Sequence, residues 1–129
     1  MKPLKLLVSF LTLAAFAGAA EVAKISPAEA AKKAESGNAI IIDVREPAEW
    51  AESGVAGPAV LLPMSDFEGD QKLWKPFLEK NAGKELIVYC RTGNRSGKVG
   101  AKLQAQGHTV ENAGGFKEWA AAGLPVRKP

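Results

Sequence analysis

Three short apolar runs constrain this chain more than any other feature. Residues 39–44 (Asp43 apart), 59–62 and 85–89 (after Glu85) carry apolar side chains at successive positions rather than alternate ones. A strand of that kind is covered on both faces, as in a parallel sheet. Helical stretches lie between the runs. Ser26-Pro27-Ala28-Glu29 suits a helix start, with Ser26 as N-cap, Pro27 in the first turn and Glu29 completing a capping box; Gly37 stops that helix. Residues 47–52 read as a short helix ended by Gly54. Residues 71–80 read as helical, with Pro76 kinking or splitting them. A helix is expected over 96–106, ended by Gly107, a short strand over 109–111, a turn at Gly114-Gly115, and a last helix over 116–122 ended by Gly123 and Pro125. Alternating strands and helices imply an α/β fold, a mostly parallel sheet with helices on both faces. Sites in such sheets form at the carboxyl ends of strands. Two strand ends here carry polar residues: Asp43-Val44-Arg45-Glu46, and Cys90 with the loop after it.

The first twenty residues do not belong to this pattern. Lys2 and Lys5 precede an apolar run from Leu6 to Phe16, broken only by Ser9 and Thr12, and Ala17-Gly18-Ala19-Ala20 follow. That is the layout of a secretory signal peptide cleaved after Ala19 or Ala20. The run is short for a membrane span, which needs roughly 20 residues. The expected organisation is a signal peptide over 1–20 and a single domain over 21–129, exported to the periplasm with no stable membrane span after cleavage. The leader holds two of the 17 basic residues and no acid, so the mature chain has 15 basic against 14 acidic residues, a net +1. Such a balance gives no case for nucleic acid. A chain of 129 residues with 47% hydrophobic and 24% charged residues is an ordinary globular domain.

Export bears on the single cysteine, Cys90. Exported proteins usually pair their cysteines; one alone is either an inert core thiol or a thiol kept for chemistry. Its surroundings favour chemistry. Cys90 follows the apolar run Leu86-Ile87-Val88-Tyr89, and a helix starts a few residues later. Gly93 lets the connection curl so that consecutive N–H groups point inward as an anion nest. The helix N-terminus and Arg91, Arg95 and Lys98 add positive charge, which favours the thiolate. Cysteine phosphatases place an arginine clamp after Cys and five residues; here Ser96 holds that position and Arg95 comes one residue early. The shorter loop suits the single terminal sulfur of a persulfide better than a tetrahedral phosphate. One cysteine and one histidine, His108, do not make a zinc site. No metal and no cofactor are expected, and His108 reads as a solvated residue at a helix end.

Three motifs in order resemble those of the single-domain rhodaneses, the thiosulfate sulfurtransferases. They are Ile41-Ile42-Asp43-Val44-Arg45-Glu46-Pro47-Ala48-Glu49-Trp50, Tyr89-Cys90-Arg91-Thr92-Gly93-Asn94-Arg95-Ser96 and Gly114-Gly115-Phe116-Lys117-Glu118-Trp119, within a likeness running from about Ile25 to Pro125. Val110-Glu111-Asn112-Ala113-Gly114-Gly115 and the leader are similar to the exported phage-shock type. The resemblance implies a rhodanese-like fold, a five-stranded parallel sheet flanked by helices. It implies that Cys90 attacks the outer sulfur of thiosulfate, releases sulfite and holds a persulfide in the loop. Cyanide, or a small or protein thiol, then takes the sulfur. Arg91, Thr92, Gly93, Asn94, Arg95 and Ser96 are the expected substrate-binding residues, and Asp43 and Arg45 a structural pair supporting them. The protein is expected to be a monomer. Two other readings stand beside this one: a persulfide carrier with little turnover, and a cysteine-dependent phosphatase or arsenate reductase. The chain departs from the family at Gly54-Val55-Ala56-Gly57-Pro58-Ala59, where Gly-His-Ile-Pro-Gly-Ala is common. The departure bears on the local turn, not on the nucleophile.

Overall fold

Two of the three apolar runs become inner strands of a sheet whose five strands all run parallel, and the run at 59–62 supplies one of its edges. The computed structural model describes residues 21–129; the leader expected over 1–20 lies outside them. Strands β1 (Ala23–Lys24), β2 (Ala39–Asp43), β4 (Val60–Leu61), β5 (Glu85–Cys90) and β6 (Val110–Gly115) lie in the order β1-β6-β5-β2-β4. The remaining strands, β3 (Val55–Ala56) and β7 (Val126–Arg127), form a small antiparallel sheet of their own. Helices α1 (Pro27–Glu35), α2 (Pro47–Ser53), α3 (Met64–Glu68), α4 (Trp74–Lys80), α5 (Asn94–Ala105) and α6 (Phe116–Ala121) connect them. Among the described residues no helix is long and apolar enough to cross a membrane.

Successive side chains of β2 and β5 point to opposite faces, so each strand feeds two cores. Ile42, Val44, Leu86 and Val88 pack with Phe67, Trp74, Val99 and Leu103 on one face. Ile41, Ile87 and Tyr89 pack with Ala30 and Trp119 on the other. This is why the runs are apolar without alternation. Each fully buried Ile, Leu or Val is worth about 1.5–3 kcal/mol.

Several local expectations change. The Ser26 hydroxyl accepts from the Glu29 N–H at 3.1 Å, one half of the expected capping box. Residues 71–80 do not form one helix: α4 starts at Trp74, and the Asp66 carboxylate accepts the N–H groups of Leu73 and Trp74 at its start. Pro76 then falls in the first turn, where its missing N–H would have had no partner, so it need not kink the helix. Helix α5 starts at Asn94, two residues before the expected 96, because Gly93 turns the chain in the left-handed region at φ 97°. β6 extends to Gly115, where only 109–111 was expected. At the family departure, Val55 and Ala56 are fully buried in β3, paired with Arg127 and Val126.

Candidate active site

β5 and α5 are joined by only Arg91, Thr92 and Gly93. The connection bends back over the strand end and buries Cys90 completely. Its Sγ accepts the Gly93 N–H at 3.0 Å and lies 3.3 Å from the Ser96 hydroxyl. Burial pushes the thiol up. The Ser96 hydroxyl and the backbone N–H groups of Ser96, Thr92 and Gly93 outweigh burial and hold Cys90 below the ordinary thiol value. The expected nest of backbone N–H groups, with the Ser96 hydroxyl beside it, is thus what lowers the thiol.

The loop cations are placed differently from one another. Arg95 reaches across to α2, where its Nη1 and Nη2 each donate to the Glu49 carboxylate at 2.7 Å. That fork holds the Glu49 carboxyl at about 2. Arg95 still feels the charge of Cys90, but its guanidinium is committed to Glu49. Arg91 and Lys98 are exposed, as are Thr92 and Asn94. Arg91 and Thr92 border a cleft of about 550 Å³ with Arg45, Glu49, Phe116 and Lys117. On the other side of the loop, Thr92 and Gly93 border a cleft of about 430 Å³ with Lys24, Asn112, Gly114 and Glu118.

The second polar strand end lies beside the first, since Asp43 pairs with Tyr89 in the sheet. Asp43 is fully buried, and Arg45 nearly so. The Arg45 Nη2 donates to Asp43 Oδ2 at 2.8 Å, and its Nε contacts both carboxylate oxygens at 3.1 Å. Arg45 also donates to Ser53 Oγ and the Gly54 carbonyl, and its guanidinium lies 4.5 Å from the Phe116 ring centre. The Tyr89 hydroxyl donates to Asp43 Oδ2 at 2.6 Å and accepts the Ala56 N–H at 3.0 Å. Burial, reinforced by Asp43, keeps that phenol protonated well above its ordinary range. Asp43 and Arg45 thus form a closed network next to the loop.

One residue absent from the sequence-based site is Asn112. It lies on β6 opposite Val88. Its Nδ2 donates to the Gly93 carbonyl at 3.0 Å, and its Oδ1 accepts from the Ser96 hydroxyl at 2.8 Å and the Gly114 N–H at 3.0 Å. An amide in a short strand beside Gly-Gly is the only local signal for it. Gly115 explains the close approach of β6: a Cβ there would lie 2.3 Å from the Arg91 carbonyl oxygen. Among the described residues no cluster of His, Cys, Asp and Glu could hold a metal ion.

A model of the rhodanese-like domain matches residues 26–122. The chain belongs to the rhodanese-like family. Its relatives include a sulfurtransferase of Allochromatium vinosum, 32% identical over 98 residues that cover 74% of this chain and 85% of that one. YtwF of Bacillus subtilis, provisionally named a sulfurtransferase, is 36% identical over 107 residues, 81% of this chain and 97% of that protein. A Synechocystis protein of uncharacterised function is 34% identical over 69% of this chain, and the match spans 47% of that protein's length. Among solved structures, a Staphylococcus aureus rhodanese-like domain protein has a TM-score of 0.63 at 29% identity, over 82% of this chain and 99% of that one. The polysulfide-sulfur transferase homodimer of Wolinella succinogenes has a TM-score of 0.66 at 28% identity, over 82% and 78%. A Rhodopseudomonas palustris protein described as a possible tyrosine phosphatase has a TM-score of 0.68 at 24% identity, over 82% and 85%, which shows the fold alone. This rhodanese-like protein is accordingly a member of a sulfurtransferase family, with the α/β architecture of its structural neighbours.

Proposed function

We propose that this rhodanese-like protein transfers the sulfane sulfur of thiosulfate, through a persulfide on Cys90, to cyanide or to a small or protein thiol. The observation that carries this reading is the Cys90 sulfur under the Gly93 N–H and the Ser96 hydroxyl, with Arg95 at the start of α5 tied to Glu49. The Cys90 thiolate attacks the outer sulfur of thiosulfate. The new S–S bond forms as the old one breaks, and sulfite leaves with the electron pair. The terminal sulfur of the persulfide is held by the N–H groups of Thr92, Gly93 and Ser96 around the loop. An acceptor nucleophile then attacks that sulfur, and Cys90 leaves as thiolate, so the cycle needs no external oxidant or reductant. Arg91 and Lys117 at the cleft draw the anionic donor in. Asn94 opens α5, and Arg95, clamped to Glu49, fixes that helix start against α2.

The test is thiocyanate formation from thiosulfate and cyanide, with intact-mass measurement after thiosulfate alone. Wild type should gain one sulfur atom, lost on reduction, and should turn over. Cys90→Ser should do neither. Full activity in Cys90→Ser would overturn the mechanism. A sulfur adduct without turnover would identify a persulfide carrier instead. The phosphatase reading is disfavoured because Ser96 stands where the clamp would be and Arg95 is engaged; hydrolysis of a phosphate ester that depends on Cys90 would restore it. The leader-like first twenty residues support a periplasmic reaction, to be checked by fractionation and by the N-terminus of the mature protein.

A further inference from the structure

We propose that Asn112 is a positioning residue that sets the ionisation of Cys90 by holding its two donors, Gly93 and Ser96, in place. The proposal rests on the reading of Cys90 as the nucleophile, and it assigns part of that thiol's tuning to a strand far from it in sequence.

The orientation of the Asn112 amide is set by its neighbours. The Gly93 carbonyl can only accept, so Nδ2 faces it; the Gly114 N–H can only donate, so Oδ1 faces it. Oδ1 therefore also faces the Ser96 hydroxyl, 2.8 Å away. The amide oxygen carries no hydrogen, so the hydroxyl must supply one to that contact. The same hydroxyl lies 3.3 Å from the Cys90 sulfur. With Cys90 a thiol, the chain can run from S–H to the Ser96 oxygen and from the Ser96 O–H to Asn112. With Cys90 a thiolate, the hydroxyl hydrogen turns to the sulfur without the oxygen moving. In the thiol, Asn112 is bonded to the hydroxyl and fixes its oxygen within reach of the sulfur; in the thiolate that hydrogen is spent on the sulfur, and the hold passes to Gly93. Through the Gly93 carbonyl Asn112 fixes the residue whose own N–H donates to the sulfur at 3.0 Å. Gly93 needs such a hold, because its left-handed backbone, φ 97°, is not enforced by a side chain.

Charged groups on the surrounding elements do not replace this device. Arg91 is exposed on the loop, and Arg95 on α5 is paired to Glu49 on α2. Asp43 and Arg45 on β2 pair with each other, and Glu118 on α6 accepts the Gly115 N–H. From β6 the loop meets the Asn112 amide and the backbone of Gly114 and Gly115, none of them charged.

The experiment is a spectroscopic titration of the full chain. Cys90 is the only cysteine, so the ultraviolet absorption of thiolate, taken against Cys90→Ala, reports it alone and needs no reagent to reach a buried sulfur. Asn112→Leu should raise the titration midpoint by about one unit, which is about tenfold less thiolate at pH values below both midpoints. Asn112→Asp keeps an acceptor for Ser96 and Gly114 but adds negative charge, and should raise the midpoint further, less so at high salt. In a Ser96→Ala background the effect of Asn112→Leu should shrink, because one of the two donors it holds is gone. Should Asn112→Leu fail to fold, Asn112→Ala, which also removes the amide contacts to Gly93 and Ser96 and adds no charge, carries the test with the same expected rise. An unchanged midpoint would mean that Asn112 only packs the strand. A lowered one would mean that it withholds the Ser96 hydrogen from the sulfur. Either result overturns the proposal. Wild-type sulfur transfer, assayed in parallel, tests the nucleophile separately: a shifted midpoint in a protein that transfers no sulfur would fault the reading of Cys90, not the role of Asn112.

Discussion

Two buried polar sites lie at the carboxyl ends of adjacent parallel strands, and they solve the problem of burial in opposite ways. At the end of β2, Asp43 meets Arg45 and the Tyr89 hydroxyl, so every charge has a partner of fixed geometry. At the end of β5, Cys90 has donors but, among the described residues, no ion-pair partner of its own. A carboxylate in a closed network is a structural element; removing one member leaves the rest uncompensated. A sulfur under neutral donors can gain and lose charge without breaking a salt bridge, which suits the proposed cycle between thiolate and persulfide. Proximity to the site therefore does not by itself make a residue part of the chemistry.

Substitutions can break this contrast. The largest effect on activity is expected from Cys90→Ser, with thiocyanate production falling to the buffer background while the urea midpoint moves little. Asp43→Ala should show the reverse pattern. It strands Arg45 and should cost about 3–5 kcal/mol in urea unfolding, while the protein that remains folded still gains sulfur by mass. Tyr89→Phe should cost about 1–3 kcal/mol, because the Ala56 N–H loses its buried acceptor and Asp43 a donor. Glu49→Gln is the smallest, about 0.5–1 kcal/mol for a partly exposed pair, and it sharpens the comparison through pH. The Glu49 carboxyl is lowered from 4.5 to about 2 by Arg95. Its contribution is therefore fully present above about pH 4.5 and lost as pH falls toward 2. Stability curves of wild type and Glu49→Gln should separate at neutral pH and converge at the acid end; a constant gap across that range would remove the pair as the cause.

Much of the fold was legible because burial on both faces leaves a local mark. Ile41-Ile42 and Ile87-Val88 divide between two cores, so neither strand alternates. Helix starts at Pro27 and Pro47 were readable from fixed proline geometry. The same logic misplaced α4, because the start at Trp74 depends on Asp66, which lies outside the segment that reads as helical. β3 and β7 left little trace, since each is two residues long and exists through pairing with the other. Cys90 and its loop could be located from local sequence. The partner of Arg95 could not: Glu49 lies 46 residues away and is delivered by α2. Asn112 was equally silent, being brought to Gly93 and Ser96 only by the register of β6 against β5.

The sequence by itself determined the layered α/β plan and put a lone thiol at the end of a buried strand, because apolar runs and turn residues act on their own neighbours. Only the tertiary structure decided which polar groups would meet: Asp43 with Tyr89, Glu49 with Arg95, Asn112 with Ser96. Those meetings depend on strand register and on the docking of helices onto the sheet. They are made by residues far apart in the chain, and no local pattern of side chains encodes them.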